Sequence, residues 1–401
     1  MPAPQCGFRD GDMENIYLDH ISSRPIDPGV LEFAKRFLEH DYGNPSSLHS
    51  FGLEAKRALE EARAKVAELI NGENDKTIIF TGSATEANNL AIKGVALRNI
   101  GKGKEVAASA IEHISVINSM KELQKNGFTL NLMPVDSNGI VDLKKLDEVI
   151  TKSTTVTSIM YANNEIGTIE PIREISKIVH EKGLHLHVDA TAAAGHVPID
   201  VQADGIDLLS LSSNDLYGPQ GAGALYIKPG MKLQPLLLGG GQERGFRSGT
   251  ENLFAIAGIG EAARITMLEM AQESERLKVM RDTLIQEIST IEESHLTGHP
   301  TQRLPNHVSF RFNHIEGESI LLNMDMYNIQ VSTGSACSSK TLEPSHVLLA
   351  IGLTHEQAHG SMVLSLGKSN KIEETPAIVK AIKETVERLR KLSPLSKKEV
   401  M

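Results

Sequence analysis

One of the two cysteines in this chain is placed for chemistry rather than for packing. Cys337 lies in "STGSACSSKTLEPSH" (332–346), a run of small polar residues that predicts a loop before a helix starting near Pro344. A buried structural cysteine usually sits among apolar residues, so this setting favours an exposed thiol. The predicted chemistry is that of a reactive, nucleophilic cysteine.

A second group of reactive side chains lies in "LHLHVDA". Side chains alternate along a β-strand with a period of two, so His185, His187 and Asp189 share one face. That spacing could ligate a metal if further histidines or carboxylates came from other strand ends. It is also, and more commonly, what a strand of a pocket or core contains, and the residues alone leave both interpretations open.

A possible anion site lies in "FTGSATEANNLAIKG" (80–94). The pattern predicts a strand, a turn of small residues and a helix that starts near Thr85. The N-terminus of a helix presents free backbone N–H groups and partial positive charge, so a phosphate can bind there. In the alternative interpretation, Ser83 or Thr85 is an ordinary N-cap with Glu86 in the first turn.

The elements that must position these residues follow an α/β pattern. Short β-branched runs at 76–82, 155–162, 184–190 and 206–212 alternate with helical stretches, which predicts a mostly parallel sheet. A helix with an apolar stripe of Leu277, Met280, Leu284, Ile288 and Ile291 opens a second domain. We therefore predict a flexible extension at 1–14, a large domain at 15–266 and a small α+β domain at 267–401.

Composition limits the partners and the compartment. The 401 residues carry a net charge of −10, which argues against a nucleic acid or an anionic membrane as the main partner. Two cysteines make no disulfide framework, which is typical of the cytoplasm. No basic segment precedes an apolar run at the N-terminus, and no stretch of about 18 apolar residues occurs. We expect a cytoplasmic protein acting on small molecules, with no role for Cys6.

The motifs together resemble one family, the cysteine desulfurases. These are fold-type I pyridoxal 5'-phosphate (PLP) proteins that take sulfur from free cysteine and pass it on as a persulfide, chiefly for iron–sulfur cluster assembly. The resemblance rests on "IYLDHISSRPIDP", "YGNPSSLHSFG", "GSATEANNLAIKG", "YANNEIGTI", "HVDATAAAG", "GGGQERGFRSGTEN", "LPNHVSFRF", "EGES", "STGSACSS" and "LSPL". It implies a large PLP-binding α/β domain, a small α+β domain carrying the Cys337 loop, and a homodimer.

The resemblance also implies a role for individual residues. Asp189 matches the carboxylate that keeps the pyridine nitrogen protonated, His113 the imidazole stacked on the ring, and Cys337 the nucleophile that leaves as a persulfide. On this basis a cofactor-pairing Asp189 explains the HxHxD face better than a metal does. The implied cofactor-binding set is Ala84, Thr85, His113, Asn164, Asp189, Ser212, Asn214, Asp215 and, from the partner subunit, Thr250.

Departures from the family cluster in the same predicted pocket. Where the family has Ser-x-His-Lys, this chain has Ser212 to Asp215, and Asp215 has no amine with which to hold PLP covalently. Ala192 replaces a glutamine beside the ring, Val363 an arginine for the substrate carboxylate, and Lys368 a second arginine. A positioned acid/base is worth roughly 10²–10⁴ in rate, so ordinary desulfuration should be strongly impaired.

Two functional hypotheses remain at this stage, and whether the protein is an active enzyme stays open between them. In the first, PLP binds non-covalently, His113 is the surviving base, and sulfur from L-cysteine passes through Cys337 to a scaffold protein. In the second, the chain is a catalytically inactive scaffold partner. Cys337 then carries a persulfide or ligates a shared iron–sulfur cluster, and sulfide supplies the sulfur.

Overall fold

The computed structural model describes residues 15–334 and 344–393. Cys6, Cys337 and the predicted extension at 1–14 lie outside the described residues, so the predictions made for them stay predictions.

The strands and helices follow the alternation that the sequence predicts. The strands are β1 Ile16–Tyr17, β2 Ile78–Thr81, β3 Glu105–Ser109, β4 Thr129–Met133, β5 Thr154–Met160, β6 Leu186–Asp189, β7 Leu208–Ser212, β8 Gly223–Ile227, β9 Ser294–Leu296, β10 His307–Phe312, β11 Ile329–Gln330 and β12 Ser361–Ser365. The helices are α1 Pro28–Ala34, α2 Arg36–Glu39, α3 Ser50–Leu69, α4 Ala84–Arg98, α5 Ile114–Lys125, α6 Leu143–Val149, α7 Ile172–Glu181, α8 Leu253–Ile288, α9 Gly317–Asp325, α10 His346–Ala350, α11 His355–His359 and α12 Thr375–Leu392.

The central sheet has the order β2-β8-β7-β6-β5-β3-β4. Its strands pair in parallel except around β8, which is antiparallel to both β2 and β7. Every residue of β5 is buried, as expected for a strand covered by helices on both faces. The four β-branched runs predicted as strands correspond to β2, β5, β6 and β7, so the predicted mostly parallel α/β fold is confirmed.

A close helix contact closes one face of the large sheet. Helix α3 packs along α8, and a Cβ atom at Gly260 would lie 2.5 Å from Cα of Ala62. Only glycine permits that approach of the two backbones. The contact fixes the first half of α8 against the large hydrophobic core.

The second half of α8 belongs to a different core. Leu277, Met280, Leu284 and Ile288 pack with residues of β10, β12 and α12. This core covers an antiparallel sheet of order β12-β10-β9, which is the α+β arrangement expected of the small domain. The predicted boundary at 266/267 lies inside the continuous helix α8 and stays a prediction.

Within 15–334 and 344–393, no helix is both long and apolar enough to cross a bilayer.

Candidate active site

A cavity of about 420 Å³ opens where β5, β6 and β7 end. Parallel strands point their carboxyl ends to one edge of the sheet, and this edge is where open α/β sheets bind ligands. The last residues of two of these strands, Met160 and Asp189, are register partners and both line the cavity. The small domain closes the opposite side with residues such as His307 and Val363.

The predicted anion-binding turn lies at one end of this cavity. Ser83 is the N-cap of α4, and its Oγ accepts a hydrogen bond from Glu86 N at 3.2 Å. Ala84 and Thr85 follow it and line the cavity. A Cβ at Gly223 would lie 2.5 Å from the Ser83 carbonyl carbon, so β8 supports the turn only because it has glycine there. The N-cap and anion-site interpretations are therefore compatible.

Asp189 is a buried carboxylate held on both oxygens. Asn88 Nδ2 donates to Oδ2 at 2.7 Å, while Thr191 donates to Oδ1 from its backbone N at 3.0 Å and its Oγ1 at 2.6 Å. A carboxylate offers about four lone-pair sites, so Asp189 can accept a further N–H from the cavity. The fixed orientation suits a carboxylate that must meet a ligand atom at one point.

His113 and Asn164 line the same cavity. His113 is the N-cap of α5, and its Nδ1 accepts from Ser115 N at 3.2 Å and lies 2.7 Å from Ser115 Oγ. Asn164 follows β5, and its backbone oxygen accepts from His307 Nε2 at 2.8 Å. Both predicted residues are thus held by atoms that would not contact a ligand: His113 by Nδ1 and Asn164 by its backbone oxygen.

The histidines of "LHLHVDA" do not form a metal site with Asp189. His187 is fully buried between Ser158 Oγ at 2.8 Å and Ser210 Oγ at 2.9 Å, so both ring nitrogens are occupied. Burial lowers the pKa of His187 to about 4, which keeps it neutral. Among the residues that the structure describes, no cluster of three or more His, Cys, Asp or Glu could hold a metal ion. A pocket strand is the arrangement found.

Asp215 faces the cavity from the turn after β7, together with Ser212 and Asn214. Burial raises the pKa of Asp215, and the nearby Arg24 guanidinium partly offsets that rise. Arg24 Nη2 lies 3.9 Å from Asp215 Oδ1, and its Nη1 donates a short hydrogen bond to the Asp215 carbonyl. The predicted position of the missing lysine is therefore occupied by one half of a buried ion pair.

Of the other residues that depart from the family pattern, two line the cavity and one does not. Ala192 and Val363 line the cavity and offer it only apolar surface. Lys368 instead binds Asp27 Oδ2 at 2.8 Å and Glu269 Oε2 at 2.7 Å. Lys368 is not among the residues that line the cavity. It is therefore committed to other carboxylates and leaves the cavity without its charge.

Thr250 is exposed and does not line the cavity of its own chain. It belongs to the loop between β8 and α8, which a buried ion pair fixes to the large domain. Arg63 bonds Glu243 with both terminal nitrogens, at 2.7 Å and 2.9 Å. Phe80 N also donates to Glu243 at 2.8 Å. The loop thus presents Thr250 outward, as a residue for a partner's site would be.

Sequence reasoning missed Arg24, Glu165 and His307, which also line the cavity. Burial raises the pKa of Glu165 to about 8, against a hydrogen bond from Ser345 Oγ that lowers it. Burial, with the nearby Arg303, lowers the pKa of His307 to about 3. The one available signal was Arg24, the only arginine or lysine inside "IYLDHISSRPIDP".

The residues present fit PLP at its phosphate and its ring nitrogen, but they exclude covalent attachment. A helix N-terminus can take its phosphate, and Asp189 has spare acceptor capacity for a ring N–H. The cavity falls in the usual size range of about 300–1,000 Å³ for cofactor sites. Asp215 supplies a carboxylate where covalent attachment would need an amine.

Comparisons with known proteins agree with this geometry. The Aminotransferase class-V family model matches residues 16–377. "Cysteine desulfurase IscS 1" from Archaeoglobus fulgidus is 53% identical over 379 residues, covering 94% of this chain and 99% of that protein. This chain belongs to the cysteine desulfurase family. Cysteine desulfurases and class-V aminotransferases are PLP-dependent, so the predicted family, fold and coenzyme are confirmed.

Solved structures give the same result. A structure titled "NIFS-LIKE PROTEIN" superposes with a TM-score of 0.88 at 35% identity, covering 94% of this chain and 100% of that one. Another, titled "SspA in complex with cysteine", has a TM-score of 0.78 at 32% identity and covers 88% and 98%. Both likenesses span the large and the small domain of this cysteine desulfurase homologue.

Proposed function

We propose that this protein is a cysteine desulfurase-type protein of iron–sulfur cluster biogenesis. It takes sulfur from L-cysteine as a persulfide on Cys337 and delivers it to a scaffold protein. The observation that carries the proposal is the cavity, where Asp189, His113 and the α4 N-terminus converge. The family relationship supports it, and so does the likeness to the structure of SspA in complex with cysteine.

The residues of the cavity would divide the work as follows. The backbone N–H groups at Ala84 and Thr85 would hold the phosphate of PLP, and Asp189 would hold its ring nitrogen protonated. When bound, PLP supplies an electron sink for the amino-acid substrate. His113, fixed through Nδ1, would present its ring and Nε2 to the cavity and move the substrate proton. Asn164 and Ser212 would complete the polar wall.

We propose that PLP is held without a covalent bond, because Asp215 offers no amine. Borohydride reduction followed by mass spectrometry tests this directly. The expected result is PLP that is retained on gel filtration yet leaves the chain on denaturation after reduction. A chain whose mass increases by one reduced coenzyme would contradict it.

The overall reaction is balanced without any further reagent. The Cβ–S bond of L-cysteine breaks, the sulfur joins the Cys337 thiol as a persulfide, and the carbon gains a proton and leaves as alanine. The sulfur then passes from Cys337 to the scaffold protein. The steps assigned to Cys337 rest on the sequence, because Cys337 lies outside the described residues.

The test of this function is alanine formation from L-cysteine under anaerobic conditions, with PLP and a scaffold protein added. We expect multiple turnovers in the native chain and in Cys6→Ser, and none in Cys337→Ser. Cys6 is the matched control because it is the only other cysteine. Equal activity in Cys337→Ser would remove Cys337 from the reaction.

A second candidate function is supported by the ion pair of Arg24 with Asp215 and by the apolar Val363. In this candidate the protein makes no alanine. Cys337 serves a scaffold protein either as ligand of a shared iron–sulfur cluster built from sulfide, or as carrier of sulfane sulfur transferred to it from another protein's persulfide. It predicts that clusters form when sulfide is supplied and that Cys337→Ser still abolishes them. Alanine production over many turnovers would exclude it.

We further propose a cytoplasmic homodimer in which Thr250 reaches the partner's phosphate site. The loop that carries Thr250 also exposes Leu237 and Leu238, with 46% and 83% of their surfaces accessible. An apolar exposed loop of this kind is typical of an interface. Analytical ultracentrifugation should give the dimer mass for the native chain, and Leu238→Glu should shift it to the monomer. A monomeric native chain would overturn this proposal.

A further inference from the structure

Arg24 and Asp215 both line the cavity, and the contact between their charged groups is longer than a hydrogen bond. Arg24 Nε donates to the His20 carbonyl at 3.0 Å, Nη1 donates to the Asp215 carbonyl, and the guanidinium stacks 5.2 Å from the Tyr217 ring. These contacts fix the guanidinium in place. Its Nη2 lies 3.9 Å from the Asp215 carboxylate, which is beyond hydrogen-bond distance.

Arg24 is the only arginine or lysine among the described residues that line the cavity. Val363 has no charge, and Lys368 is bound to two carboxylates elsewhere. His307 is neutral, because burial lowers its pKa to about 3. A carboxylate ligand that enters the described part of this cavity therefore meets a permanent positive charge at Arg24.

Asp215 is the carboxylate of the cavity that can bind a positively charged group of a ligand. The described cavity-lining acids are Glu165, Asp189 and Asp215. Asp189 already accepts from Asn88 and Thr191 and is assigned to the coenzyme. Glu165 is half-buried, accepts from Ser345, and burial raises its pKa to about 8, so it is largely protonated at neutral pH. Asp215 is left to meet a cationic group.

We propose that Arg24 and Asp215 together bind the charged groups of the α-amino acid substrate, the guanidinium its carboxylate and the Asp215 carboxylate its ammonium. An amino acid carries these opposite charges on one carbon, as the pair presents them side by side. The substrate would replace the long contact with two short charge-assisted hydrogen bonds. This inference rests on the proposed function and assigns the substrate contacts that Val363 and the missing lysine cannot make.

The test uses three thiols that differ only in their charged groups. L-cysteine has both, cysteamine lacks the carboxylate, and 3-mercaptopropionate lacks the amine. Their affinities are measured by anaerobic calorimetry on the full chain, once with PLP bound and once after its removal by dialysis. The proposal predicts that L-cysteine binds the native chain more tightly than either analogue.

The variants should change selectivity in opposite senses. Arg24→Gln should reduce the preference for L-cysteine over cysteamine at least tenfold, the size of one charge-assisted bond, and Arg24→Lys should restore part of it. Asp215→Asn should reduce the preference for L-cysteine over 3-mercaptopropionate by a similar factor. Lys368→Gln is the matched control, since Lys368 stacks on the same Tyr217 ring at 5.2 Å but does not line the cavity.

A purely structural role for the pair would weaken all three ligands equally in each folded variant, and that result would overturn the proposal. So would a native chain that binds L-cysteine no better than cysteamine. The proposed function is judged separately by alanine formation. Unchanged selectivity together with alanine formation would reject the substrate contacts alone, whereas shifted selectivity without alanine would reject the desulfurase reaction and keep the binding site.

Discussion

Glu165 should reduce the stability of the folded protein at neutral pH, and Glu165→Gln should remove that cost. The carboxyl is half-buried at the cavity, and burial raises its pKa from 4.5 to about 8. Folding must therefore protonate it at pH values where the unfolded chain would leave it ionised. A raised carboxyl pKa gives stability that is present below pH 4.5 and is lost as the pH rises through 8.

The size of this effect follows from the shift in pKa. Each pH unit between the unfolded and folded values costs about 1.4 kcal/mol, which gives about 3 kcal/mol at about pH 7. Solvent screening of a half-buried group reduces this to about 2 kcal/mol. Glutamine keeps the shape and can still accept from Ser345 Oγ, which bonds Glu165 in the native chain. We therefore expect stabilisation that grows with pH.

Differential scanning calorimetry of both proteins at several pH values is the assay. For a chain of this length, about 2 kcal/mol corresponds to about 2–3 °C in Tm. We expect Glu165→Gln to raise Tm by that amount at about pH 7 and by under about 1 °C at about pH 5. Glu181→Gln, on the exposed surface of α7, is the control and should change neither value. A difference in Tm between the native chain and Glu165→Gln that is equal at both pH values would refute the reasoning.

Other predictions concern the coenzyme and acid stability. Asp215→Lys should let borohydride fix PLP to the chain. The nearby Arg24 guanidinium, 3.9 Å from the native Asp215 carboxylate, should lower the pKa of the new amine. Trapping should then extend below the usual lysine range, and trapping confined to high pH would contradict this. Asp189→Asn should lose PLP on dialysis at least tenfold faster, because an amide cannot stabilise a protonated ring nitrogen; equal retention would argue against the pairing. Burial lowers the pKa of His20 to about 4 and of His307 to about 3, so both stay neutral in the fold and charge on unfolding. Stability should therefore fall as the pH drops below 6.5, by about 1.4 kcal/mol per pH unit for each. His307→Gln should flatten that slope in urea titrations, and an unchanged slope would count against it.

Local sequence was sufficient for the fold class and for much of the cavity. Strand and helix periods are set by neighbouring residues, so the runs that became β2, β5, β6 and β7 could be predicted. Asp189 is the last residue of β6, inside the run "LHLHVDA" that was predicted as a strand, and Ser83 caps α4 as its side chain predicts. The replacement of the family lysine by Asp215 can be read directly from the sequence.

Only the tertiary structure decided which charges meet. Arg24 and Asp215 are 191 positions apart, and Ser345 and Glu165 are 180 apart. No periodic pattern encodes such a pairing, because it depends on how the N-terminal segment and the small domain pack across the ends of the strands. The same packing decided that Lys368 binds Asp27 and Glu269 rather than the cavity. Sequence therefore determined which groups this protein has for chemistry, and long-range packing determined their partners and their pKa values.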